Sequence, residues 1–194
     1  MRRFSGVIAC LAIIAALVGC NANKEPSLYG TDITGASFAS SLSLTDHTGK
    51  PRTLDDFKGK VVVLFFGYTH CPDVCPTTMA DLAKAMKLMG PKSDEVQVLF
   101  VTVDPERDTQ QVLADYVPSF DPRFIGLRGT PEQLAETAKN FKIFYSKQES
   151  AGKSDYTIDH SAGTYVFDKQ GHVRIYIKYG EKPQEIAHDL KTLL

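Results

Sequence analysis

The chain has 194 residues, of which 43% are hydrophobic, 10% aromatic and 23% charged, and 22 Lys and Arg stand against 23 Asp and Glu. That balance excludes a nucleic-acid binder built on a strong basic excess and an acidic disordered chain. Four cysteines are too few for a disulfide-dense scaffold, and the length suits one domain with a sizeable core.

The chain opens with Met1-Arg2-Arg3 and an uncharged apolar run, Val7 to Val18. At about 12 residues the run has the length of a signal-peptide core and is too short for a comfortable transmembrane helix. It ends in Leu17-Val18-Gly19-Cys20, which looks like a bacterial lipobox with Cys20 as the lipidated residue. The expected division is a signal peptide over 1–19, a lipid-anchored tether over 20–37 and a folded domain over 38–194. Loss of 1–19 would discard Cys10. It would also take Arg2 and Arg3 from the 22 basic residues and none of the 23 acidic ones, moving the formal charge from −1 to −3. Two free thiols would remain, Cys71 and Cys75. The domain is then expected in the cell envelope, facing the periplasm or the outer side of the membrane.

Along the domain, Ser41 to Leu44, a turn at Asp46 to Lys50, and Arg52 to Leu54 read as a β-hairpin. Val61 to Phe66 is an unbroken β-branched and aromatic run, suited to a strand buried on both faces. Met79, Leu82, Ala83, Met86 and Met89 recur at helical spacing until Gly90-Pro91. That spacing makes the methionines core residues more readily than metal ligands. Val96 to Val103 reads as a second buried strand. Asp108 to Gln111 resembles a capping box opening a helix to about Val117. A short strand at Phe124 to Leu127 precedes a helix from Thr130-Pro131 to about Asn140. Lys142 to Ser146 reads as a strand leading to a polar loop, Ser150 to Asp155. A hairpin, Thr164 to Phe167 with Val173 to Lys178, precedes a helix opened by Pro183. Alternating strands and helices predict an α/β layer fold. The cysteines follow the first buried strand and open the next helix, which predicts a thioredoxin-like fold with an N-terminal β-hairpin extension.

Three residues separate Cys71 from Cys75, where a thioredoxin motif has two. Strand C-terminal ends in open α/β sheets are ligand-binding places, and a helix start favours thiolate. Four apart on a helical turn, the two sulfurs would share one face, able to chelate one metal or to close as a disulfide. Soft sulfur favours Cu(I), with zinc as competitor, and imidazole is the usual added ligand. His47, His172 and His188 read as surface residues, and His70 sits on the loop side of Cys71. His160 lies just before the Thr164 strand, in the loop that faces the cysteines in thioredoxin-like topology. There Ala162 stands in place of the usual cis-proline. Spacing alone leaves His160 open between ligand and surface histidine. Asp104, after a buried strand, is a candidate to tune the thiolates or imidazole from behind, or simply turns the chain before Pro105. Asp159 could orient His160, and Asp73 could face the site or a partner.

Tyr68-Thr69-His70-Cys71-Pro72-Asp73-Val74-Cys75-Pro76, Val101-Thr102-Val103-Asp104-Pro105-Glu106-Arg107-Asp108-Thr109 and Asp159-His160-Ser161 together resemble the Sco family, the copper chaperones of cytochrome c oxidase assembly. The resemblance covers about residues 38–194. It implies that Cys71, Cys75 and His160 bind one copper ion per chain, as Cu(I) or Cu(II). It implies a membrane-anchored domain serving the dinuclear copper centre of cytochrome c oxidase subunit II. A periplasmic copper chaperone and a thioredoxin-like reductant are further expected partners, and nucleic acid is not. Closure of Cys71 and Cys75 into a disulfide would remove the site, so copper loading is expected to follow their redox state. The expected role is an assembly factor and not a turnover enzyme. The alternative is a membrane-tethered thiol–disulfide reductase that keeps the oxidase copper-site cysteines reduced. A peroxiredoxin is disfavoured, since Tyr68 stands where those enzymes place a Thr.

Overall fold

The structure is a computed structural model and describes residues 27–149 and 156–194. The expected signal segment, Cys20 and the polar loop 150–155 lie outside the described residues. The strands are β1 (Thr31–Asp32), β2 (Ser43–Asp46), β3 (Pro51–Thr53), β4 (Val61–Gly67), β5 (Val96–Thr102), β6 (Ile125–Arg128), β7 (Tyr145–Glu149), β8 (Tyr156–His160), β9 (Thr164–Phe167) and β10 (Val173–Ile177). Among the described residues four α-helices join them: α1 (Val74–Met89), α2 (Gln110–Tyr116), α3 (Pro131–Phe141) and α4 (Pro183–Thr192).

Eight strands form one mixed sheet in the order β1-β10-β9-β4-β5-β6-β2-β3, while β7 and β8 form a separate two-stranded ribbon. The apolar runs explain the centre. Every residue of β4 and of β5 is buried, as expected of strands covered on both faces. Parallel pairing from Val61↔Val96 to Gly67↔Thr102 puts the C-terminal ends of β4 and β5 side by side. Strand β9 pairs with β4 antiparallel, with Phe65 opposite Thr164, so the chain enters β9 at that same end. The residues after β4, after β5 and before β9 therefore meet at one edge.

The core beneath that edge is aromatic. Phe66 packs on Phe141 at 5.2 Å between ring centroids, and Phe141 on Tyr165 at 5.4 Å. Each buried side chain of this size contributes about 1.5–3 kcal/mol relative to exposure. Met79, Met86 and Met89 lie buried on α1 beside Leu82 and Ala85, so their thioethers belong to the core.

The expected hairpin is β2–β3, and it lies on the far flank of the sheet, where β2 pairs with β6. Four expectations shift. Thr109 caps α2 through Oγ1, which accepts from Val112 N at 3.2 Å; Asp108 is turned inward and the helix begins at Gln110. Lys142 takes a left-handed conformation with φ +53° at the end of α3, so the following strand starts at Tyr145. His160 ends strand β8 and is not in a plain loop. The described part of the expected tether is laid on the domain: β1 pairs with β10, and Tyr29 N and Gly30 N donate to the buried Asp189 carboxylate at 2.8–3.1 Å. Among the described residues no helix is long and apolar enough to cross a membrane.

Candidate metal centre

The loop after β4 carries the first thiol. Cys71 N donates to Tyr68 O at 3.3 Å, closing a turn. Cys71 precedes Pro72, and a residue before proline is biased away from helical backbone. The helix accordingly starts at Val74, and its first backbone bond of the i→i−4 type runs from Thr77 N to Asp73 O at 3.1 Å. This corrects the picture of two cysteines on one helical turn. Cys75 is in the first turn of α1, and Cys71 lies before it and folds back. Cys75 N donates to Cys71 Sγ at 3.4 Å, so the backbone N–H of the helix start is aimed at that sulfur. Pro76 fits in the first turn, where no intrahelical partner for its missing N–H is required.

The second thiol is deep. Cys75 is 0% exposed, and Cys71 is half-buried. Gly67 makes room for it: a Cβ there would stand 3.0 Å from Cys75 Sγ, 2.9 Å from the Phe65 ring and 3.0 Å from the Phe100 ring. Burial pushes the Cys75 thiol well above its ordinary range, and nearby Cys71 and Asp108 push the same way, against a backbone bond at Tyr68.

The histidine comes from the ribbon. His160 Nε2 is 3.4 Å from Cys75 Sγ. His160 Nδ1 is 3.0 Å from the Ser161 carbonyl. A carbonyl only accepts, so Nδ1 carries the proton and Nε2 presents a lone pair toward the thiols. Burial lowers the His160 pKa, opposed by the Ser161 carbonyl and by Asp159; the neutral ring is the favoured form. The rings of Tyr68 and Phe65 stand edge-on to the imidazole at 5.9 and 6.2 Å. One ligand atom each from Cys71, Cys75 and His160 lies within 4.8 Å of the others. Two sulfurs and one neutral nitrogen, at a partly open edge, suit a soft ion such as Cu(I).

Of the three carboxylates proposed from the sequence, Asp104 and Asp73 have other partners. Asp104 is buried, and its oxygens accept from Arg107 Nε at 2.5 Å and Tyr156 Oη at 2.7 Å. Asp73 is exposed and its Oδ1 accepts from Thr77 Oγ1 at 3.5 Å. Asp159 is exposed; the ring nitrogen it was expected to orient meets the Ser161 carbonyl instead. His70 is also exposed, with Nδ1 3.1 Å from Thr69 Oγ1.

Sequence reasoning missed Asp108, Tyr68 and Tyr156. Asp108 is fully buried and accepts from Thr69 N at 3.1 Å, Thr69 Oγ1 at 2.6 Å and Thr102 Oγ1 at 2.5 Å, fixing the cysteine loop to the end of β5. Tyr68 Oη accepts from Ile158 N at 3.2 Å. Asp108 and Tyr68 lie within the sequence blocks that carry the resemblance, which was their one signal. Tyr156 carried none.

A family model described as SCO1/SenC matches residues 30–194. The mitochondrial protein SCO2 homolog of Mus musculus is 37% identical over 152 residues, covering 77% of this chain and 60% of that one; the chain thus spans less than two thirds of that relative's length. A solved structure of Bradyrhizobium japonicum ScoI with copper bound is 40% identical, covers 79% of this chain and 98% of that one, and superposes with a TM-score of 0.73. A SCO1/SenC family lipoprotein from Bacillus anthracis is 27% identical, covering 86% of this chain and 99% of that one, with a TM-score of 0.71. The fold is thioredoxin-like in the manner of those structures, and the chain belongs to the SCO1/SenC family.

Proposed function

We propose that the chain carries one copper ion on Cys71, Cys75 and His160 and delivers it to the dinuclear copper centre of cytochrome c oxidase subunit II. The observation that carries this reading is the convergence of two sulfurs and Nε2 within 4.8 Å. Similarity to a protein solved with copper bound supports it. Copper is cargo here. Cys75 and the neutral imidazole hold it from inside, and half-buried Cys71 leaves one side open for exchange.

Loading follows the redox state of the pair. As two thiols, Cys71 and Cys75 lose protons on taking up the ion. If an oxidant takes two electrons and two protons from them, an S–S bond forms and both sulfur ligands are lost. The chain is anchored through lipidated Cys20, with the domain on the outer side of the membrane; the sequence of residues 1–20 and the lipoprotein relative support this.

The thiol pair also supports a second reading. Cys71 Sγ is the more accessible sulfur and accepts from Cys75 N at 3.4 Å, and it is as a thiolate that a cysteine enters exchange. That thiolate could attack a disulfide in the oxidase subunit; Cys75 would then close on Cys71, passing two electrons and two protons to the target.

The test mixes the Cu(I)-loaded reduced chain with the metal-free copper domain of an oxidase subunit II whose cysteines are reduced. Copper transfer is expected, and one-electron oxidation of the loaded subunit with ferricyanide should then give the spectrum of a mixed-valence dinuclear centre. Failure of transfer, with disulfide reduction by the metal-free chain surviving His160→Ala, would favour the reductase.

A further inference from the structure

The third ligand stands on a ribbon that lies outside the main sheet. Strands β7 and β8 pair only with each other among the described residues, and an isolated two-stranded hairpin is marginal in water. His160 is at its end, paired with Tyr145. Something must hold the ribbon against the cysteine loop, and the loop after β5 meets that requirement.

Arg107 lies flat over the Tyr156 ring, with its guanidinium carbon 3.7 Å from the centroid. Arg107 Nη1 donates to Tyr156 O at 3.0 Å, and Nε donates to Asp104 Oδ2. Tyr156 Oη donates to the other oxygen of the same carboxylate. Asp104 thus joins the guanidinium and the phenol, and the three groups close a ring of contacts. Next to it, Lys147 Nζ donates to Glu106 Oε2 at 2.6 Å, tying β7 to the same loop. On the other side Tyr68, three residues before Cys71, accepts from Ile158 N, and Ile158 is buried. Asp108 N donates to Asp104 O at 2.9 Å, and Asp108 holds Thr69. One short loop therefore grips the ribbon through Asp104 and Arg107 and the cysteine loop through Asp108.

The geometry points to Arg107 and Asp104 as positioning residues that set His160 against the cysteine pair by clasping Tyr156, without touching the metal. The inference rests on the copper reading above, and it assigns the buried Asp104 carboxylate to holding the ribbon. A stacked guanidinium whose Nε and Nη1 reach two different acceptors is not replaceable by a point charge, and groups standing behind metal ligands set ligand orientation.

The test uses the full chain with Arg107→Ala, and with Tyr156→Phe, which keeps the ring and removes only the hydroxyl bond to Asp104. Each is made with and without His160→Ala. Arg107→Ala should weaken Cu(II) binding by about 10–100-fold when His160 is present and leave it within about twofold when His160 is absent. Equal weakening in both backgrounds, or none in either, would overturn the clasp. In the metal-free protein, backbone hydrogen exchange should quicken in residues 145–149 and 156–160 and stay unchanged in β4 and β5. Tyr156→Phe should shift both readouts less, in the same direction; no shift in either variant counts against the clasp. If the unaltered chain took up no copper, the metal reading would fall, and the exchange pattern alone would decide the clasp.

Discussion

His160 Nε2 lies 3.4 Å from Cys75 Sγ across 85 residues of chain. The contact exists because β9 runs antiparallel to β4, which returns the chain to the end of the strand that feeds the cysteines. The proton on Nδ1 is held by the Ser161 carbonyl, so the lone pair of Nε2 faces the thiols.

The two thiols should differ in reactivity. Cys71 is half-buried with a backbone N–H on its sulfur, whereas Cys75 is enclosed and burial favours its protonated form. Brief alkylation of the reduced, metal-free chain near neutral pH, read by peptide mass spectrometry, should label Cys71 well before Cys75. Cys75 labelled first would contradict this order.

Copper affinity should rise with pH. The Cys75 thiol is raised by burial, so it is protonated in the metal-free chain at neutral pH and must give up that proton on binding. Calorimetric titration with Cu(I) in buffers of different ionisation enthalpy should show release of at least about one proton per ion at pH 7. Absence of proton release would mean that Cys75 is not a ligand.

Gly67→Ala should disturb the centre without touching a ligand. The added methyl would meet Cys75 Sγ and the Phe65 and Phe100 rings at 2.9–3.0 Å. Overpacking of this kind costs about 1–3 kcal/mol, to be measured by urea unfolding. Copper affinity should fall with it, because relief of the clash moves the sulfur. Full affinity in a destabilised variant would show that the sulfur is not where the metal binds.

Asp46 offers a separate check on the flank of the sheet. It is buried, and its carboxylate accepts from Thr48 Oγ1 at 2.6 Å, Arg52 Nε at 2.8 Å and the backbone of Thr48 and Lys50. Burial alone would raise its pKa, but these bonds together hold it well below the usual aspartate range. A depressed folded value means that the stabilisation is present above about pH 3.9, the ordinary value, and is lost as pH falls through the folded one. Asp46→Asn should cost about 1.5–3 kcal/mol at pH 7, less in acid, and leave copper binding unchanged. An equal cost at both pH values would show that the charge is not the source.

Much of this was legible in the sequence because apolar runs and capping residues act locally. Val61 to Phe66 and Val96 to Val103 announced the two central strands, and the Thr130 and Gln133 pair announced α3; its reciprocal bonds are 2.9 and 3.3 Å. Cys71 and Cys75 declared themselves by proximity. The ribbon was legible only at Lys142 to Ser146: residues 145–149 and 156–160 are mostly polar and weakly patterned, and their tie to the loop after β5 runs through Arg107 and Tyr156, 49 residues apart. Asp108 looked like a helix cap because its neighbours fit a capping box. Only the tertiary placement of Thr69 and Thr102 shows why it turns inward. Likewise Asp104 was expected near the ligands, and its role came from a tyrosine that carried no sequence signal.

The most direct measurement is the copper content and X-ray absorption of the reduced full chain, with and without His160→Ala. One copper per chain, bound by two sulfurs and one imidazole nitrogen, is expected for the unaltered protein. The variant should lose the nitrogen and most of its Cu(II) affinity while its circular dichroism stays the same. An unchanged ligand set and affinity in His160→Ala would contradict the site.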